Sequence, residues 1–147
     1  MFAQTLQAAK DWLLRFLTQR SLGERPFRDR FQKYWYGTAR EARGVRLLRE
    51  WLSPEQLAQY ERKGYFDVTG CDSGRRFRIR HGTAMNIYEI DHTGEALVGW
   101  CFVPSINLVA GDVMLAQKIA LETNESGALA VAKSFSPTEG RNTWISY

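Results

Sequence analysis

The 147-residue chain carries twenty Lys or Arg against sixteen Asp or Glu, a net charge of +4, with 44% hydrophobic and 13% aromatic side chains. That length suits one domain with a helical extension, and so many aromatic groups exclude global disorder. No apolar run approaches the roughly 18 residues of a transmembrane helix, the first residues lack a secretory pattern, and two cysteines fit a reducing cytoplasm.

Phe2, Leu6, Ala9, Leu13 and Phe16/Leu17 recur at helical spacing, so an amphipathic helix is expected over Phe2 to Arg20, stopped near Gly23. Such a helix packs on its own domain, dimerises or lies on a membrane surface. Its glutamines and Asp11 argue against the membrane, and Phe2, Leu6, Leu13 and Phe16 are the candidate oligomer contacts. A second helix is expected from Pro26, tolerated in a first turn, through to Trp51, with Gly37 and Gly44 as candidate breaks. Arg28, Lys33, Trp35, Arg40, Arg43 and Arg46 fall in this most basic and aromatic part of the chain. Cations for phosphates and flat rings for bases are what a single-stranded nucleic acid groove needs, but aromatics at helical spacing equally serve helix packing. Residues 1–52 sum to +6 and the remainder to −2. A basic half joined to a near-neutral half points to an anionic partner or to a solvated helix surface.

Ser53-Pro54-Glu55-Gln56 has the form of a capping box with proline at the first helical position, and Leu52 and Leu57 occupy staple positions. This helix is expected to end at Gly64. Tyr65 to Thr69 then alternates as a strand. In the next strand Phe77 and Ile79 point one way and Arg76, Arg78 and Arg80 the other. Met85 to Ile90 reads as a third strand, Asp91 to Gly94 as a hairpin turn, and Ala96 to Val103 as a fourth strand covered on both faces and ended by Pro104. Asp112 is the expected N-cap of a helix over Val113 to Glu122, and Ala128 to Phe135 is expected to be a short helix. The fold expected is α+β: N-terminal amphipathic helices followed by a four-stranded antiparallel sheet packed by a C-terminal helix. It divides into a basic helical extension (1–52), a compact domain (53–135) and a loosely ordered tail (136–147).

The runs RRFRIRHG, MNI, GWCF and GDVMLAQKIALE are similar to those of a set of small bacterial proteins with no established activity. The resemblance covers roughly Leu52 to Lys133. It implies a unit over that span and no function.

Cys71, His81, His92 and Cys101 are the candidate zinc ligands. The strand reading separates them, with Cys71 and His92 in turns at one end of the hairpins and His81 at the other, roughly 15 to 20 Å away. Cys101 lies in an apolar strand, where a thiol is usually a small buried hydrophobe, and His81 reads as a hydrogen-bonded strand-end histidine. Glu89 and Asp91 are expected to balance Arg76, Arg78 and Arg80 across the sheet. No phosphate loop, dinucleotide fingerprint or nucleophile elbow is present, so no catalytic residue, metal or cofactor is assigned. The leading reading is a non-catalytic interaction or adaptor protein that uses its helical surface, toward a protein partner or a second copy. The alternative is nucleic-acid binding through the Arg-rich helices, joined by Arg76, Arg78 and Arg80.

Overall fold

A computed structural model describes residues 39–102 and 107–138. Phe2, Leu6, Leu13, Phe16, Arg28, Lys33 and Trp35 lie outside the described residues. The elements run α1 (Ala39–Trp51), α2 (Pro54–Lys63), β1 (Tyr65–Thr69), β2 (Arg76–Arg80), β3 (Ile87–Ile90), β4 (Ala96–Cys101), α3 (Ala110–Thr123), α4 (Glu125–Val131) and β5 (Lys133–Phe135). The fold is α+β, and the five strands form one antiparallel sheet in the order β1-β2-β3-β4-β5.

The local signals around α2 act as expected. Gln56 N–H donates to Ser53 Oγ at 3.2 Å, Ser53 N–H donates to Gln56 Oε1 at 3.1 Å, and Gly64 closes the helix at φ 73°. These bonds satisfy backbone groups that a bare helix end leaves open. Two further glutamine contacts tie α2 to the edge of the sheet. Asp67 N–H donates to Gln59 Oε1 at 2.8 Å, and Gln56 Nε2 donates to Asp67 O at 3.0 Å. An open strand edge invites pairing with another chain; here side chains of α2 occupy that edge at Asp67.

Phe66 pairs with Ile79, Val68 with Phe77, and Ile79 with Ile87, so all five share the inward face. They meet Val45 and Leu48 of α1, Leu52, Tyr60 of α2, and Met114, Leu115 and Leu121 of α3. Residues of the 1–52 segment are therefore part of the core that the 53–135 segment builds. Gly44, read as a candidate break, instead lies inside α1 and is buried. A Cβ on Gly111 of α3 would stand 2.1 Å from the carbonyl carbon of Gly44, so the two helix backbones touch where these glycines meet.

Three expectations need correction. The sheet has five strands, because Lys133–Phe135 is not helical: α4 begins at Glu125, Asn124 Oδ1 accepts from Gly127 N–H at 3.3 Å, and Ala132 turns extended. Pairing with β4 decides this, since Gly99 lies opposite Phe135 and leaves room for its ring. β4 ends at Cys101 and is not covered on both faces; Leu97 is 54% exposed. Finally, α3 starts at Ala110 with Val109 at the cap position, which places Asp112 inside the first turn. There its charge still suits the positive end of the helix.

Candidate interaction surfaces

The outer face of α1 follows from what its inner face buries. With Gly44, Val45 and Leu48 turned to the core, helical geometry turns Arg40, Arg43, Arg46, Leu47, Glu50 and Trp51 outward, and all six are exposed. Arg43, Leu47 and Trp51 are spaced four apart, which lines them along about 12 Å of helix. Leu47 is 41% and Trp51 59% exposed. Arg40, Arg43, Arg46 and Glu50 form no ion pair among the described residues. Arg49, in contrast, is tied to Glu61 of α2. An open hollow of about 350 Å³ runs beside this line, bordered by Ala42, Arg46, Arg49 and Glu50.

Arg76, Arg78 and Arg80 share the outer face of the sheet, and two of them are engaged. Arg78 grips Asp67 with two bonds, Nε to Oδ1 at 2.9 Å and Nη2 to Oδ2 at 3.1 Å. It also donates to Gly94 O at 3.1 Å and lies 4.1 Å from the centre of the Tyr65 ring. Arg76 shares Asp67 Oδ2 at 3.1 Å. Burial raises the cost of ionising Asp67, yet the bonds from Arg78 and Gln59 outweigh it and leave its carboxyl below the ordinary value. Arg80 is exposed and sits 5.2 Å from the Tyr88 ring centre. The counter-charge is thus Asp67 on β1, not Glu89 and Asp91. Glu89 takes Arg75 at 3.0 Å, and Asp91 accepts from the backbone of its own turn.

His81 and Cys101 do not form one site. His81 follows the inward parity of Ile79, is 7% exposed, and stands 3.0 Å from the Tyr60 hydroxyl through Nδ1. Burial drives its pKa down to about 4, so it is neutral at pH 7. Trp100 pairs with the inward Ile87, so the next residue, Cys101, faces the opposite side of the sheet. Among the described residues no three His, Cys, Asp or Glu side chains cluster to hold a metal ion, and no helix is long and apolar enough to cross a membrane.

Two buried polar contacts were not foreseen from the sequence. Asn86 and Gln117 exchange a reciprocal pair of amide hydrogen bonds, both 2.9 Å, between the loop before β3 and α3. A glutamine one turn from Met114 and Leu121 on the apolar side of α3 was the available signal. Glu125 is 1% exposed, and its carboxylate accepts from the N–H groups of Asp72 and Ser73, both at 2.8 Å, and from the Ser73 hydroxyl. Asp72 returns the contact by accepting from Ser126 N–H at 2.8 Å. Burial pushes the Glu125 carboxyl up, while the Ser73 and Asp72 donors and the Arg75 charge bring it below its ordinary value. Nothing local marks this pairing. Both contacts fasten helices to turns and leave their polar atoms turned inward, so their evident work is structural.

Comparison with protein-family models, with curated proteins and with solved structures found no match.

Proposed function

We propose that this is a non-catalytic interaction protein that receives a protein partner on the outer face of α1, in a cytoplasm where Cys71 and Cys101 stay reduced. The observation that supports it is the line Arg43, Leu47 and Trp51: a helix fixed to the core by one side and carrying on the other an exposed indole, an exposed leucine and arginines that form no ion pair among the described residues. Trp and Arg are the side chains that most often dominate binding energy at protein interfaces. Arg78 cannot serve in the same way without releasing Asp67, so the sheet face is a poorer candidate.

A second reading, nucleic-acid binding, is favoured by Arg40, Arg43 and Arg46 having no acidic partner among the described residues. Polarisation titrations of labelled single- and double-stranded DNA and RNA, at low and moderate salt, separate the two. The proposed function gives flat titrations. Binding that weakens steeply with salt and is lost on changing Arg40, Arg43 and Arg46 to Glu would overturn it in favour of nucleic acid.

A further inference from the structure

The outer face of α1 is partly self-complementary when turned end for end. Its first half presents Arg40, Arg43 and Arg46; its second half presents Glu50 and the Trp51 ring; Leu47 lies between, four residues from Arg43 and four from Trp51. We propose that this face docks antiparallel on the same face of a second copy of the chain, with Leu47 at the two-fold axis. The proposal rests on reading α1 as the interaction face and names its occupant.

In a two-fold contact residue i meets residue j while j meets i. With Leu47 on the axis, Arg43 and Trp51 lie about 6 Å to either side of it along the helix. Arg43 of each copy therefore faces Trp51 and Glu50 of the second copy. A guanidinium is attracted both to a carboxylate and to the face of an indole. Among the described residues neither Arg43 nor Glu50 has an ion pair to break first. A parallel alignment is disfavoured, since it sets Arg43 against Arg43 and Glu50 against Glu50. The same pairs fix the register, as charged flanking positions do in coiled coils. α1 has 13 residues, a seam of about 20 Å, which is short beside a standard interface, so the dimer is weak and concentration-dependent.

The test is sedimentation equilibrium of the full chain at low salt over about 10 to 500 µM, a span that resolves dissociation constants of about the same range. The wild type is expected to shift toward dimer mass. Arg43→Glu and Glu50→Arg are each expected to weaken association by at least about fivefold, since each places like charges across the axis twice. The double variant, Arg43→Glu with Glu50→Arg, restores the ion pair across the axis with its signs exchanged and loses only the guanidinium–indole contact, so it is expected to associate more tightly than either single variant and more weakly than wild type. Both positions are exposed, and unchanged melting temperatures establish that the variants fold. A wild type that stays monomeric, or a double variant no better than the singles, overturns self-docking. Should the wild type stay monomeric while a photo-crosslinker at position 51 captures a different protein, self-docking falls and the interaction reading stands.

Discussion

Gly111→Ala tests how α1 is attached to the rest of the molecule. The new Cβ would stand 2.1 Å from the Gly44 carbonyl carbon, 2.3 Å from the Gly44 oxygen and 2.4 Å from the Val45 nitrogen, where ordinary contact begins at 3.4 Å. All three are backbone atoms, so no side chain can swing aside, and α1 must retreat from α3 by more than 1 Å. That retreat loosens Val45 and Leu48 against Met114 and Leu115, which belong to one core cluster. Overpacking of this kind costs about 3 kcal/mol, at the upper end because backbone is met. Alanine in a helix returns up to about 1 kcal/mol over glycine, leaving a net loss of about 2 kcal/mol. For a chain of this size the melting temperature is expected to fall by about 8 °C. Gly44→Ala meets chiefly the Val109 side chain, at 2.6 Å, and is expected to lose less. Thermal unfolding followed by circular dichroism decides the matter. A Gly111→Ala protein as stable as wild type, or more stable as helix propensity alone would make it, refutes the close crossing of α1 and α3.

Two further predictions follow from buried ionisable groups. His81 has a pKa of about 4 when folded against 6.5 in the unfolded chain, so below 6.5 the unfolded state binds a proton that the fold refuses. Its contribution is therefore complete above pH 6.5 and lost on the way down to 4, with a loss of about 2 kcal/mol between pH 7 and pH 5. Urea midpoints at those two pH values should show the drop in wild type and a flatter response in His81→Gln; parallel behaviour of the two proteins would contradict it. Glu125→Gln removes the charge that four donors share: with the amide oxygen kept on the Asp72 and Ser73 N–H groups, its NH2 is turned toward the Arg75 guanidinium and the Ser73 hydroxyl. It is expected to cost about 2 kcal/mol and to speed hydrogen exchange at those two amides. Unchanged exchange there would mean that the carboxylate does not hold the turn.

The sequence reveals whatever neighbours along the chain determine. Ser53 and Gln56 sit three apart and cap each other. The alternation of Phe77 and Ile79 with arginines is enough by itself to assign the two faces of β2, and the hairpin turn at Asp91 to Gly94 is equally local. What stayed hidden depends on partners distant along the chain. Gly44 reads as a helix break because the reason for a glycine there is Val109, at the start of a helix far along the chain. Lys133–Phe135 reads as helix because its strand character comes from the open edge of β4. Asp67 outcompeted the expected carboxylates since it lies directly opposite Arg78. In the candidate site, Arg40, Arg43 and Arg46 were legible as a basic run. Leu47 and Trp51 were not, because an apolar residue in a helix is by default assigned to the core; their exposure follows only once Gly44, Val45 and Leu48 are seen to occupy the inner side.

The central claim is that a protein partner sits on the outer face of α1. It is tested most directly by placing a photo-crosslinking amino acid in the full chain at position 51 and, in a separate protein, at Arg62, an exposed residue of α2. Position 51 is expected to give a discrete protein adduct, to a second copy or another chain, that disappears when Leu47 is changed to Glu, and position 62 is expected to give none. Equal adducts from both positions, or from neither, would contradict the claim.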